Sequence, residues 1–201
     1  MQSLTRNIAV MTLASIQLLG PAQADAQSEP YQWADQFVSN FEQYCFSTDA
    51  DYQSAVSIAD ERGLEPIPDY RLPDHMPTTP PKEGRGYQLA LDEEAEVDMI
   101  LLTVAGTDAC TISSSGIDQG QVIALMKENY NLMEVERADY PREITTVYVP
   151  EGTTGEIREG EEKGVVNIVI NIDPFFEAIT VTYLPPRSLR ELWSQLPTSD
   201  E

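Results

Sequence analysis

Apolar and polar positions alternate with two different periods along this chain. Trp33, Phe37, Phe41, Tyr44 and Cys45 recur at spacings of four, four, three and one, which predicts an amphipathic helix with an aromatic buried face beginning near Pro30. Tyr52, Ala55, Val56, Ile58 and Ala59 predict a second helix over 50–62, with Thr48 or Asp49 as its cap and Gly63 as its stop. The short connection makes the pair an N-terminal helical hairpin. From Glu65 to Gly86 regular structure fails, because six prolines remove backbone donors and bar helix interiors.

Beyond that proline-rich loop the period shortens to two. Tyr87, Leu89 and Leu91 alternate, Val97–Val104 is an apolar run suited to a central strand, and Ala109–Ile112 is a short strand after a Gly106-Thr107-Asp108 turn. Ser113–Gly116 reads as a polar loop before a helix capped by Asp118, which holds Val122, Ile123, Leu125, Met126 and Tyr130 and ends near Leu132. Ile144–Val149, Val165–Ile172 and Phe176–Leu184 are rich in β-branched residues and predict three more strands, the last two joined by Asp173-Pro174. Ser188 then caps a terminal helix with Leu189, Leu192, Trp193 and Leu196, expected to pack within the domain. Runs of strands, rather than strict strand–helix alternation, predict an α+β fold: a largely antiparallel sheet of about six strands with helices on one face. No internal repeat is legible at a fixed period.

One apolar stretch fits none of these elements. Arg6 precedes the run Ile8–Leu19, and Ala22-Gln23-Ala24 and Ala24-Asp25-Ala26 each offer a small-x-small cleavage site. This is the layout of a secretory signal peptide over residues 1–26, cleaved after Ala24 or Ala26. The run is shorter than the roughly 20 residues that a membrane-spanning helix needs. The expected mature protein is therefore a single domain over 27–201, periplasmic or secreted, without membrane insertion.

The compartment decides how the only two cysteines are read. In an oxidising environment Cys45 and Cys110 are expected to form a structural disulfide, since a redox-active pair normally sits close in sequence. The layout resembles that of small exported alphaproteobacterial proteins with Phe-x-x-x-Cys on a first helix and one later cysteine on a strand. Here those residues are Phe41-Glu42-Gln43-Tyr44-Cys45 and Cys110-Thr111-Ile112. The resemblance supports the disulfide and the compartment, and it carries no activity with it.

Charge restricts the partners. The chain has 34 acidic and 12 basic residues, for a net charge of −22. Such a surface repels nucleic acid and anionic lipid, and is compatible with a basic protein partner, a cation, a salty environment or simple solvation. Catalytic motifs are sparse. His75 is the only histidine and sits beside Asp74 in the proline-rich loop. Any serine–histidine–acid triad would have to use it, and two-histidine metal sites are excluded. Gly152-x-x-Gly155 and Gly160-x-x-x-Gly164 lack the lysine and helix of a phosphate loop. Glu93, Glu94, Glu96 and Asp98 flank a strand, and Glu156, Glu159, Glu161 and Glu162 crowd the segment 151–164, which offers weak divalent-ion binding at most. Asp49-Ala50-Asp51 begins like a calcium loop but lacks the later glycine and glutamate, so helix capping is the expected role. No catalytic, cofactor-binding or metal residue is assigned. The expected function is an exported non-enzymatic acidic domain that recognises an envelope or extracellular protein. A periplasmic hydrolase using Asp74 and His75, or a structural envelope component without a specific ligand, are the alternatives.

Overall fold

The computed structural model describes residues 29–68, 84–106, 108–150, 164–173 and 176–195. Helix α1 (Glu29–Phe41) runs into a single π-helical turn (Glu42–Phe46), followed by α2 (Tyr52–Glu61) and a two-residue strand β1 (Glu65–Pro66). Strands β2 (Gly84–Asp92), β3 (Val97–Val104) and β4 (Ala109–Ser115) precede α3 (Gln119–Tyr130). Strands β5 (Leu132–Asp139), β6 (Glu143–Pro150), β7 (Val165–Asp173) and β8 (Phe176–Leu184) lead to α4 (Pro186–Gln195). All strands join one antiparallel sheet in the order β1-β2-β3-β4-β8-β7-β6-β5.

The α+β class stands, with eight strands in place of about six. Both additional strands lie at the edges. β1 is cut short at Pro66, which cannot donate to a ladder. β5 carries Glu134, Glu136, Arg137 and Asp139 among its apolar positions, and a bulge between Glu134 and Glu136 breaks its alternation. A half-exposed edge strand needs no continuous apolar face, so periodicity alone passes over it. The serines expected in a loop belong to β4 instead. Ser113 Oγ pairs with Thr180 Oγ1 at 2.9 Å, and the Ser114 hydroxyl donates to the Ser115 carbonyl at 3.1 Å. A neighbouring hydroxyl and a backbone carbonyl thus satisfy polar side chains within the sheet.

The order of strands divides the chain into two halves of similar plan. In each, helices precede a four-stranded antiparallel meander, and the meanders meet through their last strands, β4 and β8. α1 and α3 lie side by side on one face. Phe37, Phe41, Tyr44, Val122 and Met126 pack there against Tyr87, Met99, Leu101, Ile112, Val166, Ile168, Ile179 and Val181. A chain of rings links the halves, with Phe41 and Phe46 on Tyr130 at 5.6 and 4.6 Å and Phe46 on Tyr183 at 5.2 Å.

The helices do not all share that face. Val166 pairs with Tyr183 in the main core, so the neighbouring Val165 and Leu184 point to the other side of the sheet. Leu189 of α4 packs there with Val149 and Val165. Pro185 and Pro186 follow the C-terminal end of β8 and start the helix on that side. The terminal helix therefore does pack within the domain through Leu189, but against the opposite face. Ile67 covers Ile100 and Leu102 elsewhere on it.

Candidate functional site

Two regions concentrate polar chemistry, and the first is built around the disulfide. The aromatic face of α1 buries Tyr44 and Cys45 completely, and the π-helical turn closes through Ser47 N–H to Glu42 O and Ala50 N–H to Cys45 O, each at 2.8 Å. Cys45 is bonded to Cys110 of β4, with Cα atoms 5.2 Å apart, which is the pairing expected of the only two cysteines. Past the turn, Asp49 and Ala50 both adopt left-handed backbone conformations, as does Asp108 before β4. Non-glycine residues hold such conformations only where surrounding contacts dictate them.

Arg187, at the start of α4, grips two of these three residues, Asp49 and Asp108. Its Nε donates to Asp108 Oδ2 at 2.7 Å, its Nη1 to Asp49 Oδ2, and its Nη2 to the Asp49 carbonyl at 2.6 Å. The Tyr183 phenol donates to Asp49 Oδ1 at 3.1 Å. Burial, reinforced by the Asp49 carboxylate, pushes the Tyr183 phenol well above its ordinary value. Gly164 is required beneath that ring, because a Cβ would lie 2.7 Å from Tyr183 Cε2. With both carboxylates occupied by one guanidinium and the phenol kept protonated, the cluster fastens the helical turn, the β3–β4 turn and α4 together. It offers no free base or nucleophile.

Asp49 thus differs from its expected capping role. Asp51 is the cap of α2, accepting from the Ser54 N–H at 2.8 Å, and the Ser54 hydroxyl and N–H hold its carboxyl below the usual range. Asp118 caps α3 as expected, accepting from Gln121 N–H at 2.9 Å. Nothing local marks Arg187 in the sequence, since its partners are 79 and 138 positions away.

The second region is one end of the sheet. The antiparallel order brings the β2–β3 turn, the C-terminal end of β4, the start of β8, the end of β7, the start of β6 and the end of β5 to a common edge. That edge collects Asp92, Glu93, Glu94, Glu96, Asp98, Asp118, Glu177, Asp173, Glu143 and Asp139. Opposing them are Arg137, paired with Asp139, and Arg142, which reaches Asp173 at 3.5 Å with an 83% exposed side chain. The turn itself is tightly made: Asp92 Oδ1 accepts from the Glu94 and Ala95 N–H groups at 3.0 and 2.9 Å. The acids that flank β3 in the sequence thus become part of a longer acidic rim that only strand order assembles.

Asp74, His75 and the acids between Glu151 and Lys163 lie outside the described residues. Among the described residues no three His, Cys, Asp or Glu side chains converge as a metal site, and no helix is long and apolar enough to cross a membrane. Comparisons with protein-family models, with curated proteins and with solved structures find no match for this chain.

Proposed function

We propose that this protein is an exported, non-enzymatic acidic domain that recognises a basic protein of the envelope or the extracellular space. The observation that carries this reading is the acidic rim, where turns and the ends of seven strands gather carboxylates against two arginines among the described residues. Like charges gathered along one edge attract a partner of opposite sign over distances set by the screening length, about 8 Å at physiological ionic strength. The first helix and its cysteine, similar to those of small exported alphaproteobacterial proteins, support the export reading, and the disulfide is compatible with it.

The test is affinity capture from a native envelope extract, with the oxidised protein as bait at low and moderate salt. A basic protein held at low salt and released as salt rises is the expected result. Replacing Glu93, Glu94 and Glu96 by Gln should then weaken capture by about tenfold. Capture unaffected by salt and by the triple substitution would sink the reading.

A further inference from the structure

A cleft of about 420 Å³ opens between α1 and the last turn of α3, lined by Asp35, Val38, Ser39, Glu42, Asn129 and Tyr130. Its volume falls within the roughly 300–1,000 Å³ of small-ligand sites. Asp35, Ser39 and Glu42 follow at helical spacing along one face of α1 and its π-helical continuation. The floor is apolar: Val38 is 4% exposed, and the Tyr130 ring is wedged against Phe41 and Phe46. The rim is carboxylate and amide, with no base among the lining residues. Lys127, the basic residue in the last turn of α3, is turned away to Glu134 at 4.0 Å and the Tyr148 ring at 5.0 Å. The carbonyl end of α3 adds negative potential at the same place.

An apolar floor under an acidic rim matches a side chain with an aliphatic stem and a cationic head. A planar guanidinium suits it best, because it stacks on an aromatic face while donating to carboxylates and amide oxygens around it. We propose that this cleft binds an arginine side chain presented by the partner, an inference that rests on the basic-partner reading above. The stem lies over Val38 and Tyr130, and the guanidinium meets Glu42, Asp35 and the Asn129 carbonyl oxygen. The acidic rim then draws the partner in, and the cleft selects one residue of it.

The test titrates argininamide into the ¹⁵N-labelled, oxidised full chain at low salt and follows amide shifts. Saturable shifts confined to Ser39, Glu42, Asn129 and Tyr130 are expected, with citrullinamide, the uncharged isostere, giving none. Asp35→Asn with Glu42→Gln should weaken binding by about tenfold or more, whereas the Glu93, Glu94 and Glu96 to Gln variant should stay within about twofold. Shifts absent from the cleft, equal binding of citrullinamide, or indifference to Asp35→Asn/Glu42→Gln would overturn the assignment. If salt-sensitive capture of a basic protein persists in that double variant, the cleft proposal fails and the partner reading survives. If capture fails while argininamide still titrates the cleft, the partner reading is the one that falls.

Discussion

The two halves of this molecule share a plan and are fastened differently. In the second half α3 ends at Asn131, whose left-handed conformation turns the chain directly into β5. No disulfide reaches this helix, whose Val122 and Met126 bury completely against the sheet. In the first half the chain passes from α1 through a π-helical turn, two left-handed residues and an extra helix before it reaches the sheet. That route is strained, and its first edge strand is only two residues long. The disulfide and the Arg187 bridge sit where the strain is. The comparison teaches that the covalent and ionic fasteners sit where non-glycine residues take a left-handed backbone, not where packing is poorer, since Phe37, Phe41, Tyr44 and Cys45 are buried as fully as Val122 and Met126.

The largest effect on this asymmetry should come from removing the disulfide. Cys45→Ser/Cys110→Ser opens a loop with a sequence separation of 65; the chain-entropy relation puts its contribution at about 4 kcal/mol. Thermal unfolding should move down by about 10 °C, and hydrogen exchange should rise first around the π-helical turn rather than in α3. Equal loosening of both helices would break the comparison.

Gly116→Ala should come next. Gly116 has a φ of +74°, and a Cβ there would run into the Glu96 backbone, so a loss of about 2–3 kcal/mol is expected. Denaturant midpoints measure it, and the loss should be felt in the first half, where the β2–β3 turn lies.

Alkaline pH sharpens the contrast from the other side. Burial raises the phenols of Tyr44 and Tyr87 in the first half, and more strongly those of Tyr130 and Tyr183 in the second. A phenol raised in the folded state stays protonated while its unfolded counterpart ionises near pH 10. The unfolded state then binds fewer protons, and stability is lost as pH climbs through the unfolded and on toward the folded value. Tyr130→Phe/Tyr183→Phe should flatten the alkaline limb of a stability–pH curve more than Tyr44→Phe/Tyr87→Phe.

Arg187→Met should cost less, about 1 kcal/mol once solvent screening of its 36% exposed side chain is counted. Its signature is specific: the loss should shrink when Asp49 is already Asn, in a double-mutant cycle read by denaturant unfolding. The smallest effects belong to the two caps. Asp51→Ala and Asp118→Ala should each cost up to about 1 kcal/mol by chemical denaturation, and similar values would show that the halves differ in their fasteners rather than in their helices.

Much of this fold was legible because local chemistry decides it. The aromatic spacing of Phe37, Phe41 and Tyr44 sets the buried face of α1, Asp118 caps α3, and the β-branched runs of β7 and β8 pair through one short connection. The disulfide followed from there being only two cysteines and from the expectation of export. β5 was not legible, because charges on an edge and a bulge erase the alternation that marks a strand. Ser113–Ser115 read as loop because the hydroxyls of Thr180 and its neighbours, which satisfy a serine in the ladder, come from β8. The α1–α3 cleft could not be foreseen either, since it joins side chains some 90 positions apart.

What the sequence determined by itself is the α+β class, most of the helices and the six inner strands, the acidity and the pairing of the only two cysteines, each governed by periodicity or composition over a few residues. The tertiary structure alone decided the meeting of two meanders at β4 and β8, the placement of α4 on the far face, the left-handed turn held by Arg187, and the merging of scattered acids into one rim. These depend on contacts between distant parts of the chain. Such contacts leave no period in the sequence, because the residues that make them are neighbours only after the sheet has formed.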